Sequence, residues 1–502
     1  MEAGAPLGDH LDADAGGLSV GRVLGKATGL SAASVLGSIL AIPTTFLIAR
    51  WLGPDRYGRA QDVVLVYMFA ALLRSGIFEG GLRALIGARA TGDQVLEQRV
   101  TDTSVTIELL VSAVPAFLLV GAVFFVDDSL RQTGFALAPA TVLATTIATF
   151  AMSLRTARQE FGLVARLSAL RAVMLPAFLV GGVASVGASA VFIAPALTDG
   201  VIALACVLVS PRLKVRLAVD RSLARQLLRT GFPLGAAAVV YWAYRLVGST
   251  SIAIGRGSRA LGVYAFAAAP VAVVTRALAS VQSVLAPALW RDMAIGHRSW
   301  VRDGARLTLV ISLLAAFATN AAQAGFAPLV QLVAPGFQGA AALFDVLAFN
   351  ILLLTVATVP SLVLDSAAAN RQTQHLVVWL AAFAANVMAN AIVLAAGASF
   401  KAVAWNDVWV QAVVVVTLFW LASSWIGPEW PRAEVYGGLV AIGLLAAGNT
   451  IALAAVRQSV SGVGSTLALV AARLAGVSMV YATAAALMKR WLWARSSAPT
   501  TE

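Results

Sequence analysis

Arg74, Arg245, Arg276, Arg473 and Asp199 are the residues of this chain whose chemistry is out of place. Each falls near the middle of a long apolar stretch. A charge at bilayer mid-depth costs about 2.5–3.5 kcal/mol even on insertion scales, so such residues are kept for a reason. Arginine stays charged, offers a rigid fork of donors and grips phosphate or carboxylate with two bonds at once. Four arginines against one aspartate therefore point to a cationic chamber inside a helical bundle, and to an anionic passenger. The structural alternative is that each arginine pairs with an acid or stretches to an interface. Asp199 has two readings of its own: a proton- or cation-coupling acid, or the ion-pair partner of Arg74, Arg245 or Arg276. The partner reading is the favoured one.

The elements that hold these residues follow from composition. The chain is 60% hydrophobic and only 12% charged over 502 residues, with a mean hydropathy of +0.85. A soluble domain is nearer half apolar and a quarter charged. The expected fold is therefore all-α: a polytopic integral membrane protein with about 14 transmembrane helices. The expected spans are 28–49, 61–85, 105–126, 136–156, 168–186, 189–209, 232–254, 262–288, 305–326, 341–365, 375–397, 402–423, 434–456 and 463–487. Residues 1–20 are polar and Gly-rich, without the apolar core of a signal peptide, and read as a disordered cytoplasmic tail.

The organisation that follows is an N-terminal six-helix bundle over 21–209 and a C-terminal one over 232–423. A basic amphipathic cytoplasmic linker, 210–231, joins them. Two additional helices fill 424–490, and 491–502 forms a cytoplasmic tail. In the linker Arg221, Arg225 and Arg229 recur every fourth residue, with Leu217, Val219, Leu223, Leu227 and Leu228 on the apolar side. That pattern suits a helix lying on the inner leaflet. The net charge of +12 is topological: Lys and Arg are roughly threefold enriched on the side this layout places in the cytoplasm. Nucleic acid is excluded as a partner. Cys206 is the single cysteine and His10, His297 and His375 match no metal spacing, so no metal or cofactor is expected.

Enzyme motifs are wanting. Gly21-Arg-Val-Leu-Gly-Lys-Ala27 passes near a phosphate loop but ends in Ala and misplaces the leading Gly. Gly255-Arg-Gly-Ser-Arg-Ala260 follows no strand, as a dinucleotide fingerprint must. Glu79 and Arg83, four apart on one helix, are expected to pair near the inner end. Asp345 and Asp365, near helix ends, are expected to be solvated.

The halves carry related turns. Leu52-Gly-Pro-Asp-Arg-Tyr-Gly58 follows the first helix, and Arg259-Ala-Leu-Gly-Val-Tyr-Ala265 follows the seventh, with Tyr57 and Tyr264 in matching places. Ile48-Ala-Arg-Trp-Leu-Gly-Pro-Asp-Arg-Tyr-Gly58 resembles the first-loop signature of the polysaccharide-biosynthesis, or O-antigen-type, flippases. These belong to the multidrug/oligosaccharidyl-lipid/polysaccharide exporter superfamily. Ala260-Leu-Gly-Val-Tyr-Ala-Phe-Ala267 is similar to the second-half signature, and Val333-Ala-Pro-Gly-Phe-Gln-Gly-Ala-Ala341 resembles the loop into the tenth helix. The resemblance covers most of residues 20–490. It implies two pseudo-symmetric six-helix bundles around a central cavity, alternating access, and passage of a lipid-linked sugar from the inner to the outer leaflet. The expected partners are thus an isoprenoid pyrophosphate sugar as substrate, membrane lipids, and polysaccharide assembly enzymes. Residence in the plasma (inner) membrane with both termini cytoplasmic is expected too. The first helix departs from many drug-exporting relatives in carrying no acid. The rival readings are a small-molecule exporter of the same superfamily, a polytopic glycosyltransferase or polymerase, and a transport-inactive membrane scaffold.

Overall fold

In a computed structural model, the described residues are 20–72, 77–90, 92–158, 160–209, 216–294, 299–366, 368–455 and 463–496. Among them the fold is all-helical, with no β-strand. The first helices are α1 (Val20–Leu72), α2 (Ile77–Ala90), α3 (Gln94–Gly121), α4 (Ser129–Ala157), α5 (Phe161–Val186) and α6 (Ala190–Leu208). There follow α7 (Arg221–Ala294), α8 (Ser299–Val333), α9 (Gly339–Leu347), α10 (Phe349–Val356) and α11 (Thr358–Asp365). The last are α12 (Gln372–Ala395), α13 (Phe400–Ile426), α14 (Arg432–Ala455) and α15 (Val463–Ser496). Lipid offers no hydrogen bonds, so a spanning chain must satisfy its own backbone, and helices do so within one segment. Small hydroxyls in the interior follow suit: Thr44, Thr308 and Thr319 each donate to the carbonyl four residues back.

Eleven stretches among the described residues are long and apolar enough to cross a membrane. Three of them are interrupted by a glycine: Leu36–Leu72 at Gly53, Phe161–Cys206 at Gly187 and Gly235–Arg276 at Gly257. Each of these three stretches is about long enough for two crossings. After the first and seventh spans, where turns were expected, the chain turns on a single residue. Gly53 (φ 69°, ψ 169°) and Gly257 (φ 77°, ψ −179°) adopt the same conformation, one that a side chain would oppose.

This shared kink corrects the register of the repeat. Gly257 answers to Gly53 and Gly262 to Gly58, so Tyr57 corresponds to Leu261 rather than to Tyr264. The contacts obey the same symmetry. A Cβ on Gly58 would overlap the Ser258 carbonyl, and a Cβ on Gly262 would overlap the Pro54 carbonyl. The two kinked turns are pressed together backbone to backbone.

Helices α1–α6 pack mainly on one another, as do α7–α13, and α1 against α7 is the principal seam. α14 and α15 pack on α8 at the periphery. A buried network of Asn320, Gln323, Thr450 and Tyr481 ties them there. Trp430 is 4% exposed and belongs to the core. Asp365 is not simply solvated, because its Oδ1 lies 2.8 Å from His375 Nδ1. Glu79 and Arg83 lie outside the described side chains.

The linker is a strap rather than a free leaflet helix. Over its described part, the backbone N–H groups of Arg216, Asp220 and Ala218 donate to Asp102, Thr103 and Thr106 of α3. Asp220 then caps α7, accepting from Ser222 and Leu223, and pairs with Arg99. The Ser222 hydroxyl, then the Arg99 guanidinium and the Leu223 amide, hold its carboxyl well below the usual carboxylate range. Leu223 and Leu227 turn inward onto Leu85, Val100 and Leu154, while Leu217 and Leu228 stay exposed. The helix continues from Arg221 without a break up to Gly257, so the boundary expected at 231/232 falls inside α7.

Candidate functional site

Below the paired kinks lies a cavity of about 360 Å³. One wall is the second segment of α1, through Tyr57, Gln61 and Met68. The rest comes from both segments of α7 and from α9, α10, α12 and α13, including Asn350, Asn386, Asp407 and Gln411. On α7 the lining runs from Leu261 to Arg276, which at 1.5 Å per residue is roughly 22 Å of depth. The kink end is sealed by a stack of rings. Phe266 meets Phe46 at 5.0 Å and Phe337 at 4.6 Å, Tyr57 meets Phe337 at 5.9 Å, and Phe326 meets Phe344 at 4.1 Å.

Polar bonds reinforce that seal across the seam. Ser258 donates to Asp62 Oδ2 at 2.5 Å, Arg131 donates to Ser258 Oγ at 2.6 Å, and Arg131 pairs with Asp62 at 2.5 Å. Beside them Arg59 pairs with Asp128 at 2.6 Å and Arg259 with Asp55 at 3.4 Å. The seal thus joins α1 and α4 to the α7 kink.

Arg245 and Arg276, predicted as site residues, both line this cavity. Arg245 reaches toward the Tyr241 hydroxyl at 3.4 Å and lies over the Trp242 ring, 5.7 Å from its centroid. Arg276 is exposed at the end of the lining farthest from the kinks. Neither has a carboxylate within ion-pair distance among the described residues, and Arg276 has no hydrogen-bond partner there. Each keeps N–H donors for a ligand.

Of the other three predicted residues, two are elsewhere. Arg74 lies outside the described residues. Arg473 is on peripheral α15 and does not line the cavity. Asp199 is 2% exposed on α6, and among the described residues its partner is neither Arg245 nor Arg276. Arg171 of α5 takes that place, with Nε 2.9 Å from Oδ1 and Nη2 3.0 Å from Oδ2, and Thr145 donates at 2.7 Å.

The balance of four arginines against one aspartate also needs correction, because Asp407 lines the same cavity. Its Oδ2 accepts from Tyr264 at 2.5 Å and its Oδ1 from Asn386 at 2.8 Å. Asn390 and Asn406 extend the chain of amides behind it. The cluster fits because Gly248 leaves room: a Cβ there would overlap both Asp407 and Tyr264. A carboxylate held by neutral donors, with no cationic side chain in ion-pair range among the described residues, is suited to take up and release a proton or small cation.

A multi-pass helical bundle, sealed at one end and walled by two helix groups, defines a membrane transporter of the flippase and exporter type. The sequence model of the polysaccharide biosynthesis protein family matches residues 23–292, more than half of the chain, and the chain belongs to that family. Solved structures with the same fold are distant in sequence. "Lipid II flippase MurJ, inward closed conformation" aligns with a TM-score of 0.67 at 12% identity over 92% of this chain and 99% of that one. An inward-facing multidrug resistance MATE family transporter of the MOP superfamily gives 0.64 at 12% identity over 80% and 95%. A MOP superfamily transporter from Pyrococcus furiosus, described by its reversed binding-pocket polarity, gives 0.55 at 14% over 83% and 95%. No curated protein matches the chain.

Proposed function

We propose that this protein moves a lipid-linked oligosaccharide or polysaccharide precursor from the inner to the outer leaflet by alternating access. The observation that carries the reading is the pair of arginines, Arg245 and Arg276, without carboxylate partners among the described residues on a cavity wall. A diphosphate between lipid and sugar is the anion that suits two forked guanidinium groups. The family supports the sugar chemistry. The protein makes and breaks no bond of its passenger, and assembly enzymes on either side of the membrane would supply and use it. Deleting the protein should make lipid-linked oligosaccharide accumulate on the cytoplasmic leaflet while surface polysaccharide falls. Normal surface polysaccharide after deletion would reject the reading.

A second reading, export of a small molecule, is favoured by one observation: Asp407 in the cavity. The coupling role weighed for Asp199 belongs better to Asp407, since Arg171 already compensates the Asp199 charge. A drug exporter would leave surface polysaccharide normal on deletion and raise sensitivity to cationic compounds.

The orientation we propose is an inner-membrane protein with about fourteen crossings, both termini cytoplasmic and the paired kinks facing outward. Reporter fusions at Asp128 and Gly336 should then report outside, and fusions at Arg216 and Arg371 inside. Any one reversed would redraw that half.

A further inference from the structure

Arg171 does more than balance Asp199. Its pairing donates one hydrogen bond, from Nη2 to Oδ2 at 3.0 Å, with Nε 2.9 Å from Oδ1 as an ionic contact, so most of the five N–H donors of the guanidinium remain for another acceptor. The side chain is 43% exposed while the carboxylate it holds is 2% exposed. Asp199 is therefore the buried, fixed member, clamped further by Thr145, and Arg171 presents its remaining donors outward. A buried carboxylate hydrogen-bonded to Nη2 and in ionic contact with Nε restricts the guanidinium's orientation.

The place it presents them is beside Arg276. Ala172, the next residue of α5, lies against Gly37 of α1, 3.2 Å from where a Cβ would sit. Ser38, the next residue of α1, donates to the Val273 carbonyl at 3.3 Å, one turn before Arg276 on α7. Arg171 and Arg276 thus leave their helices on the two flanks of one turn of α1. Asp199 compensates the charge of Arg171, so among the described residues the uncompensated charge here is that of Arg276, and an anion bound between the two would take donors from both.

We propose that Arg171 is a further anion ligand, contributed by α5, and that Asp199 and Thr145 are its positioning residues. The ligand it shares with Arg276 is the diphosphate of the lipid-linked passenger, so this inference rests on the function proposed above. A diphosphate has enough oxygens to take forked bonds from both arginines at once. Such a ligand bridges α5 of the first helix group to α7 of the second. Its binding energy then differs between arrangements of the two groups, which is what a passenger needs in order to shift them.

The test uses the full-length protein in nanodiscs, with inorganic pyrophosphate as the probe and calorimetric titration as the readout. Arg171→Gln should weaken pyrophosphate binding about tenfold, less than the loss expected for Arg276→Gln, and make the affinity less sensitive to salt. Asp199→Asn should weaken it severalfold, with recovery in Asp199→Glu. A purely structural Asp199 would instead lower thermal stability in all of these variants and leave affinity alone. If Arg171→Gln does not insert, Arg171→Lys carries the test: it keeps the charge and loses the fork, so intermediate affinity is expected and full affinity would overturn the proposal. Loss of binding in Arg276→Gln with none in Arg171→Gln would reduce Arg171 to a partner of Asp199 and leave the anion site standing. Unchanged binding in both would remove the two readings together.

Discussion

Replacing Arg276 or Arg245 with Ala should abolish transport while the protein still inserts at normal levels. Neither arginine holds a helix in place. Arg276 makes no hydrogen bond to the described residues, and Arg245 makes one long bond and two ring contacts. Removing them therefore costs little packing, yet it removes the cavity's forked donors. A lost charged hydrogen bond to a ligand is worth about 1.5–3 kcal/mol, and each arginine can make two. Loss of both from one residue amounts to roughly a hundredfold or more in affinity. Lysine at either position should recover part of the activity, because it keeps the charge and loses the planar fork. The measurement is restoration of surface polysaccharide in a deletion strain, with the amount of membrane-inserted protein quantified alongside. Full activity in both alanine variants would eliminate the anion site. Activity lost together with insertion would return these arginines to a structural role.

Those two residues were legible because their type is expensive in lipid wherever the helix ends are drawn. Asp407 and Arg171 were not, for a shared reason. Asp407 is close to the start of the span drawn at 402–423, and Arg171 close to the start of the one at 168–186. An ionisable residue near a drawn end looks like an ordinary interfacial one. In the fold, α5 begins at Phe161, which carries Arg171 well inside its helix. Asp407 is reached within the second helix group by Tyr264 of α7 and Asn386 of α12, where Gly248 leaves room, a contact that depends on how those helices pack. The partner of Asp199 was missed similarly, since helix packing and not spacing decides which arginine arrives.

The turns show the opposite case. Leu52-Gly-Pro and Arg256-Gly-Ser carry the kinks in plain sight, but the eye aligns the tyrosines because aromatic anchors are conspicuous. The backbone aligns the glycines, since only φ near +70° reverses the chain in one residue. Three residues of register separate the two readings, and contacts across the seam select the second.

Alanine at Gly58 or Gly262 should therefore prevent the cavity from closing at the kink end. The obstruction is backbone on both sides: the Ser258 carbonyl faces Gly58, and the Pro54 carbonyl faces Gly262. No side chain can rotate away to make room, so the turns must part. Parting them breaks the Ser258 bonds to Asp62 and Arg131 and opens the ring stack beneath. The protein should then rest with its cavity reachable from that side, and transport should fall below about a tenth, because a carrier held in one state cannot cycle. The chain is convenient for the measurement, having Cys206 alone and buried. With Cys206→Ser and Ala269→Cys on the cavity wall, a membrane-impermeant thiol reagent should label Gly58→Ala cells severalfold faster than the parent. Ser258→Ala, which removes the bridging hydroxyl and leaves the backbone contact, should fall between them. Labelling that rises only in inside-out vesicles would reverse the proposed orientation. Labelling unchanged from both sides would show that the paired glycines do not hold this end shut.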